Sequence, residues 1–178
     1  MSKYSRYVLI AVALYMGVRI LLSYQLVKTA DRHGPAYALT PQQMSKIKTE
    51  TEGMTATDII TYSTKLTAEM LEFSRRNDLK AGKANCIGYA NLCSAVCRYA
   101  FKINHIEGRI TPVVGYVSKL RINLCSVLAY VVPSSYKGFV KNHDFVEIDM
   151  GHYYIYFDPC LYDFTLDNGL TYEIKERH

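Results

Sequence analysis

One cysteine stands where a loop turns into a helix, and it is the residue most able to do chemistry. The run Arg75-Arg76-Asn77-Asp78-Leu79-Lys80-Ala81-Gly82-Lys83 is polar and Gly-punctuated, as a loop is. Beyond Cys86 the apolar positions fall at Tyr89, Leu92, Cys93, Val96, Cys97 and Ala100, the spacing of an amphipathic helix with one buried stripe. Cys86 therefore opens the helix, where unpaired N–H groups and the positive end of the dipole favour a thiolate over a thiol. The thiolate is the nucleophilic form, whereas Cys93 and Cys97 fall on the buried stripe.

A cysteine nucleophile needs a base, and the base needs an orienting group. The run Asn142-His143-Asp144-Phe145-Val146-Glu147-Ile148-Asp149 alternates as a strand does, with His143 at its start. A turn at Met150-Gly151-His152 leads into a second strand, Tyr153-Tyr154-Ile155-Tyr156-Phe157, followed by Asp158-Pro159. Joined as an antiparallel hairpin, the two arms bring His143 and Asp158 roughly opposite each other at its outer end. Cys86, His143 and Asp158 are thus the candidate catalytic residues. Taken singly, each has an ordinary account: a core cysteine, a strand histidine bonded to a carbonyl, a carboxylate before a proline. Their order on the expected element types favours a triad.

Four motifs together, Cys86 with Tyr89-Ala90, Val114-Gly115-Tyr116-Val117, His143-Asp144-Phe145-Val146-Glu147 and Asp158-Pro159, resemble the transglutaminase-like superfamily. The resemblance covers roughly the second two-thirds of the chain. It implies a papain-like arrangement in which a Cys-His-Asp triad joins one helix to an antiparallel sheet. The run Lys102-Ile103-Asn104-His105-Ile106-Glu107-Gly108-Arg109 departs from the Gly-Ile-Pro-Ala-Arg-like stretch frequent in that family. Asp144-Phe145 stands where Ala-Trp is common, and the chain has no tryptophan.

The chemistry that follows is acyl transfer through a thioester. Cys86 attacks an amide carbonyl of a protein or peptide substrate, and His143 takes the thiol proton and later protonates the departing amine. Asp158 fixes the imidazole tautomer, and the backbone N–H of Cys86 is a candidate oxyanion donor. Hydrolysis, as by a cysteine protease or amidase, is favoured over crosslinking. The alternative is a catalytically silent, membrane-tethered interaction module presenting its tyrosine-rich strands.

A chain of 178 residues, 49% hydrophobic and 21% charged, has the composition of one folded domain. Its formal charge of +5 comes from scattered Lys and Arg, which gives no footprint for nucleic acid. His33, His105, His152 and His178 lack metal-ligand spacing with the cysteines, and Cys93-x-x-x-Cys97 has no second half, so neither metal nor cofactor is expected. The run from Tyr7 to Val27 is apolar apart from Arg19, Ser23, Tyr24 and Gln25. At helical rise it spans about 30 Å, the thickness of a bilayer core. Small residues are not placed for cleavage near Lys28-Thr29-Ala30, so an uncleaved anchor is preferred to a signal peptide or an amphipathic helix packed on the domain. Arg19 within that span calls for snorkelling or a membrane partner. These readings give an anchor over residues 1–30, a domain over 31–178 and a membrane-anchored, extracytoplasmic (periplasmic) placement.

The remaining elements are scaffold. Asp31-Arg32-His33-Gly34-Pro35-Ala36 reads as a linker. Thr40-Pro41-Gln42-Gln43 opens a helix with a capping box and stops at Gly53, and Thr55 or Thr57 starts another. A strand over Arg109–Val117 has Pro112 at an edge or irregularity. Residues 122–132 fit a strand or a helix equally, and Thr171–Ile174 adds a last strand. Cys125–Cys160 is the one plausible disulfide. Helices first and strands after make an α+β domain, with a helix opened by Cys86 packed on an antiparallel sheet.

Overall fold

The computed structural model describes residues 25–34, 36–119, 122–123, 126, 142–164 and 172–177. The chain is α+β. Strand β1 (Gln25–Asp31) precedes helices α1 (Pro41–Thr51) and α2 (Ala56–Met70), followed by the short strands β2 (Glu72–Phe73) and β3 (Lys83–Ala84). Helix α3 (Cys86–Ile103) leads to β4 (Arg109–Lys119), β5 (Ile122–Asn123), β6 (His143–Asp149), β7 (Tyr153–Phe157), α4 (Pro159–Phe164) and β8 (Tyr172–Glu176). The main sheet runs β1-β4-β6-β7-β8, antiparallel throughout, with β5 folded back on β4.

The helix starts follow the expected chemistry. Thr40 caps α1 with Gln43 as its reciprocal partner, and Thr55 does the same for α2 with Asp58. Gly53, just past α1, has φ +79°, a left-handed turn that an L side chain resists. Helix α3 departs from the single-stripe expectation. Tyr89, Ala90, Leu92, Cys93, Val96, Cys97 and Ala100 are buried, and so are Ser94 and Ala95 on its other sides. The helix is enclosed because α2 covers one flank and the sheet another.

Two apolar clusters lie on opposite faces of the sheet. Val146, Ile148, Ile155 and Phe157 join the helices in the larger one. Leu26, Val113, Val117, Phe145 and Tyr156 form the smaller one, inside the curl of the sheet. The curl is tight enough for β8 to reach β1 through side chains: the Leu26 backbone N–H donates to Glu173 Oε2 at 3.1 Å, and Lys175 Nζ donates to the Leu26 carbonyl at 2.6 Å. Gly115 permits the close approach of β1 to β4, since a Cβ there would lie 1.9 Å from the Val27 carbonyl oxygen.

Three expectations are corrected here. The apolar run through Val27 is not one helix, because Gln25, Leu26 and Val27 pair with Ser118, Val117 and Tyr116 in the sheet. The rest of the expected anchor, with Arg19, lies outside the described residues. Among the described residues no helix is long and apolar enough to cross a membrane, so the transmembrane signal anchor and the membrane-anchored periplasmic placement derived from it are withdrawn. Asp31 ends β1, and the connection after it is anchored at its start, where the Arg32 backbone N–H donates to the Pro112 carbonyl at 3.1 Å, just beyond the last β1–β4 pair. Cys160 is a free buried thiol and not half of a disulfide; Cys125 lies outside the described residues, as does most of 122–132.

Candidate active site

The start of α3 is fixed from two directions. Asn85 caps it, its Oδ1 accepting from the Ile87 N–H at 3.0 Å, and Asn77 Oδ1 accepts from the Asn85 N–H at 2.8 Å. Gly88, two residues into the helix from Cys86, lets that loop lie flat: a Cβ there would sit 2.5 Å from Ala84 Cβ and 2.7 Å from Asn77 Oδ1. Cys86 is thereby held at the first helical position with its side chain turned inward, 7% exposed.

The hairpin brings up the base and its partner. β6 and β7 pair antiparallel from Val146↔Phe157, and continuing that register sets Asp158 beside Phe145, diagonal to His143. His143 Nε2 is hydrogen-bonded to Asp158 Oδ2. The other Asp158 oxygen, Oδ1, accepts from the backbone N–H groups of Cys160 at 3.0 Å and Leu161 at 2.9 Å, capping α4. The carboxylate is therefore fixed in rotation as well as position. Cys86 lies close enough to the His143 ring to help raise its pKa. With Nε2 engaged by Asp158, Nδ1 is the nitrogen available to the sulfur. Burial of the ring opposes its charge, but the Asp158 carboxylate and then Cys86 outweigh it and hold the His143 pKa well above the ordinary imidazole value. Cys86, His143 and Asp158, separate in the sequence, thus meet at one end of α3.

Two further residues belong to the same cluster and were not singled out from the sequence. Asp144, 2% exposed, accepts a hydrogen bond from Cys86 Sγ on Oδ2 at 3.7 Å. It is held by Arg32, whose Nε donates to Oδ1 at 2.5 Å and whose Nη2 donates to Oδ2 at 2.7 Å, a two-point guanidinium–carboxylate pair. The hydrogen bond to Asp144 raises the Arg32 pKa against the opposing effect of burial, and the charges of Asp144 and Cys86 add to it. A regular pleat would send His143 and Asp144 to opposite faces. The first residues of β6 are paired with β4 alone, the β7 ladder beginning only at Val146, and His143 and Asp144 both lie by Cys86 at that end. Arg32 carried the signal of a loop residue, and no local pattern links it to a carboxylate so far along the chain.

The other described thiols are of a different kind. Cys93 and Cys97 are fully buried, and burial pushes Cys93 up to about 12 and Cys97 well above its ordinary value. Burial, then the Asp158 charge, raises Cys160 as well. At neutral pH these three are protonated and unreactive. Among the described residues no group of His, Cys, Asp and Glu is placed to hold a metal ion. No family model, curated protein or solved structure matches the chain.

Proposed function

We propose that the chain is a thiol-dependent acyl-transfer enzyme of transglutaminase-like, papain-like type, acting on amide bonds of a protein or peptide and more suited to hydrolysis than to crosslinking. The observation that carries this reading is the convergence on Cys86 of a histidine whose far nitrogen is already committed to a buried carboxylate. Asp158 favours the His143 tautomer that protonates Nε2 and leaves Nδ1 to take the Cys86 proton. The sulfur then adds to the amide carbonyl. The C–N bond of the resulting tetrahedral adduct breaks as the imidazolium returns the proton to the leaving amine, giving a thioester. Water, deprotonated by His143, attacks the thioester, releases the carboxylic acid and restores the thiol. The Asp158 carboxylate, by holding the His143 pKa up, makes the ring a better acceptor for the Cys86 proton. The backbone N–H of Cys86, at the positive end of an 18-residue helix, is suited to the developing oxyanion.

The test is alkylation of the full chain by iodoacetamide, read residue by residue by mass spectrometry between pH 5 and pH 8. Across this range Cys86 should label faster than the same cysteine in the denatured chain, and Cys93, Cys97 and Cys160 should not label. Cys86→Ala should remove the fast phase entirely. A Cys86 that reacts no faster than the same cysteine in the denatured chain overturns the proposal and leaves a binding module.

A further inference from the structure

Arg32 is held more firmly, and spent less fully, than an ion-pairing residue needs to be. Its backbone is tied to Pro112 and its guanidinium to Asp144, so it has almost no freedom left. Yet only Nε and one N–H of Nη2 are used, leaving both N–H groups of Nη1 and one of Nη2 without a partner among the described residues. The Arg32 side chain is 28% exposed and that of Asp144 2%, so solvent reaches the cation more readily than the carboxylate it holds. Asp144 Oδ2 accepts from both Arg32 Nη2 and Cys86 Sγ, so the guanidinium and the sulfur cannot be farther apart than those two bonds laid end to end. A pre-oriented guanidinium with unused parallel donors fits a carboxylate in two-point fashion.

We propose that Arg32 is the substrate-recognition residue of this site and that the amide it selects carries a carboxylate within a few bonds of the reacting carbonyl, as a chain-terminal amino acid does. The inference rests on Cys86 being the nucleophile. Asp144 acts here as a positioning residue: it aims the guanidinium outward and, by lying against the sulfur, sets the spacing between carboxylate and reacting carbonyl. A neutral amide would leave the three donors to water, while a carboxylate would replace that water with charge-assisted hydrogen bonds.

The two parts of the reading separate when two alkylating reagents are compared on the full chain. Iodoacetamide and iodoacetate both place a CH2–I carbon on Sγ with loss of iodide, and only the second carries a carboxylate. The quantity read is the ratio of their rates at Cys86, divided by the same ratio for the denatured chain. One fixed charge at this range is worth about tenfold, and the paired Asp144 carboxylate offsets part of it, so a ratio raised about threefold is expected, falling with added salt. The His143 imidazolium could also draw an anion, so Arg32→Gln must abolish most of the preference, and Arg32→Lys, which keeps a cation to hold Asp144, must lower it. Circular dichroism checks that each variant is folded; if Arg32→Gln is not, Arg32→Lys decides. Peptides ending in a free carboxylate should protect Cys86 from iodoacetamide better than the same peptides amidated, which separates a terminal carboxylate from a side-chain one. Fast labelling by both reagents with no preference, or a preference unchanged in both Arg32 variants, overturns the inference and leaves the nucleophile standing. Slow labelling with a preference that depends on Arg32 overturns the nucleophile, and with it substrate recognition, and leaves Arg32 as a carboxylate-binding residue alone.

Discussion

Replacing Asp158 by Asn separates two roles that one side chain plays. The cap needs an oxygen facing the N–H groups of Cys160 and Leu161, and Asn supplies it as well as Asp does. Once the amide oxygen is committed there, its NH2 faces His143 Nε2. A donor at that place forces Nε2 to accept, which puts the ring proton on Nδ1, where the Cys86 proton should go. Flipping the amide would restore the tautomer but set NH2 against two N–H donors, at a cost of about 1–2 kcal/mol for the lost cap. The buried negative charge that stabilises the imidazolium is lost either way. The wrong tautomer should reduce the rate of Cys86 alkylation at pH 6 by about 10²- to 10⁴-fold, while the thermal midpoint stays within a few degrees of wild type. Asp158→Ala should lose rate and cap together, and its midpoint should fall by about 2–8 °C for about 1–2 kcal/mol. Alkylation kinetics and thermal unfolding on the same preparations decide the matter. If Asp158→Asn keeps its rate within tenfold of wild type, or loses as much stability as Asp158→Ala, the division of labour between the two oxygens is wrong.

Gly115→Ala should destabilise by about 2–4 kcal/mol, combining overpacking with ladder bonds opened between β1 and β4. Trimming Phe145 to Leu should not rescue it, because the nearest obstacle is the Val27 backbone; a midpoint unchanged from wild type would contradict the close approach. His143 has its folded-state pKa raised, so its contribution to stability is complete below the unfolded value of ~6.5 and is lost as pH rises through the folded value. Denaturant titrations should therefore show stability declining toward alkaline pH, and His143→Gln should flatten that decline; an unchanged slope would mean the pair does not titrate there.

Local patterns sufficed for the helix starts, the hairpin and the three candidate residues, because capping, strand alternation and a turn glycine act within a few residues of each other. What stayed hidden came from contacts that no short window contains. The run through Val27 has the apolar content of a span, yet Leu26 spends that content inside the curl of the sheet against Val113 and Phe145. The spacing along α3 shows one apolar stripe, whereas Ser94 and Ala95 are buried by neighbours that spacing cannot register. Asp144 was legible only as a departure from a resemblance. Its partnership with Cys86 depends on how β6 meets the start of α3, 58 residues away in the chain, and its partnership with Arg32 on the register between β1 and β4.

The contacts of the site also differ in how much chain each must close. His143 and Asp158 are 15 residues apart in the chain, Cys86 and Asp144 are 58 apart, and Arg32 and Asp144 are 112 apart. Closing a loop costs entropy that grows with its length, so the short-range pair can form with its hairpin while the longest waits for β1 to dock. A folding chain would therefore hold a histidine already bound to its carboxylate before the sulfur meets either, and a sulfur already in place before the guanidinium arrives. The reactivity of Cys86 and its preference for a charged reagent would then mature at different moments of refolding, and β1, first among the described strands, would complete the site last.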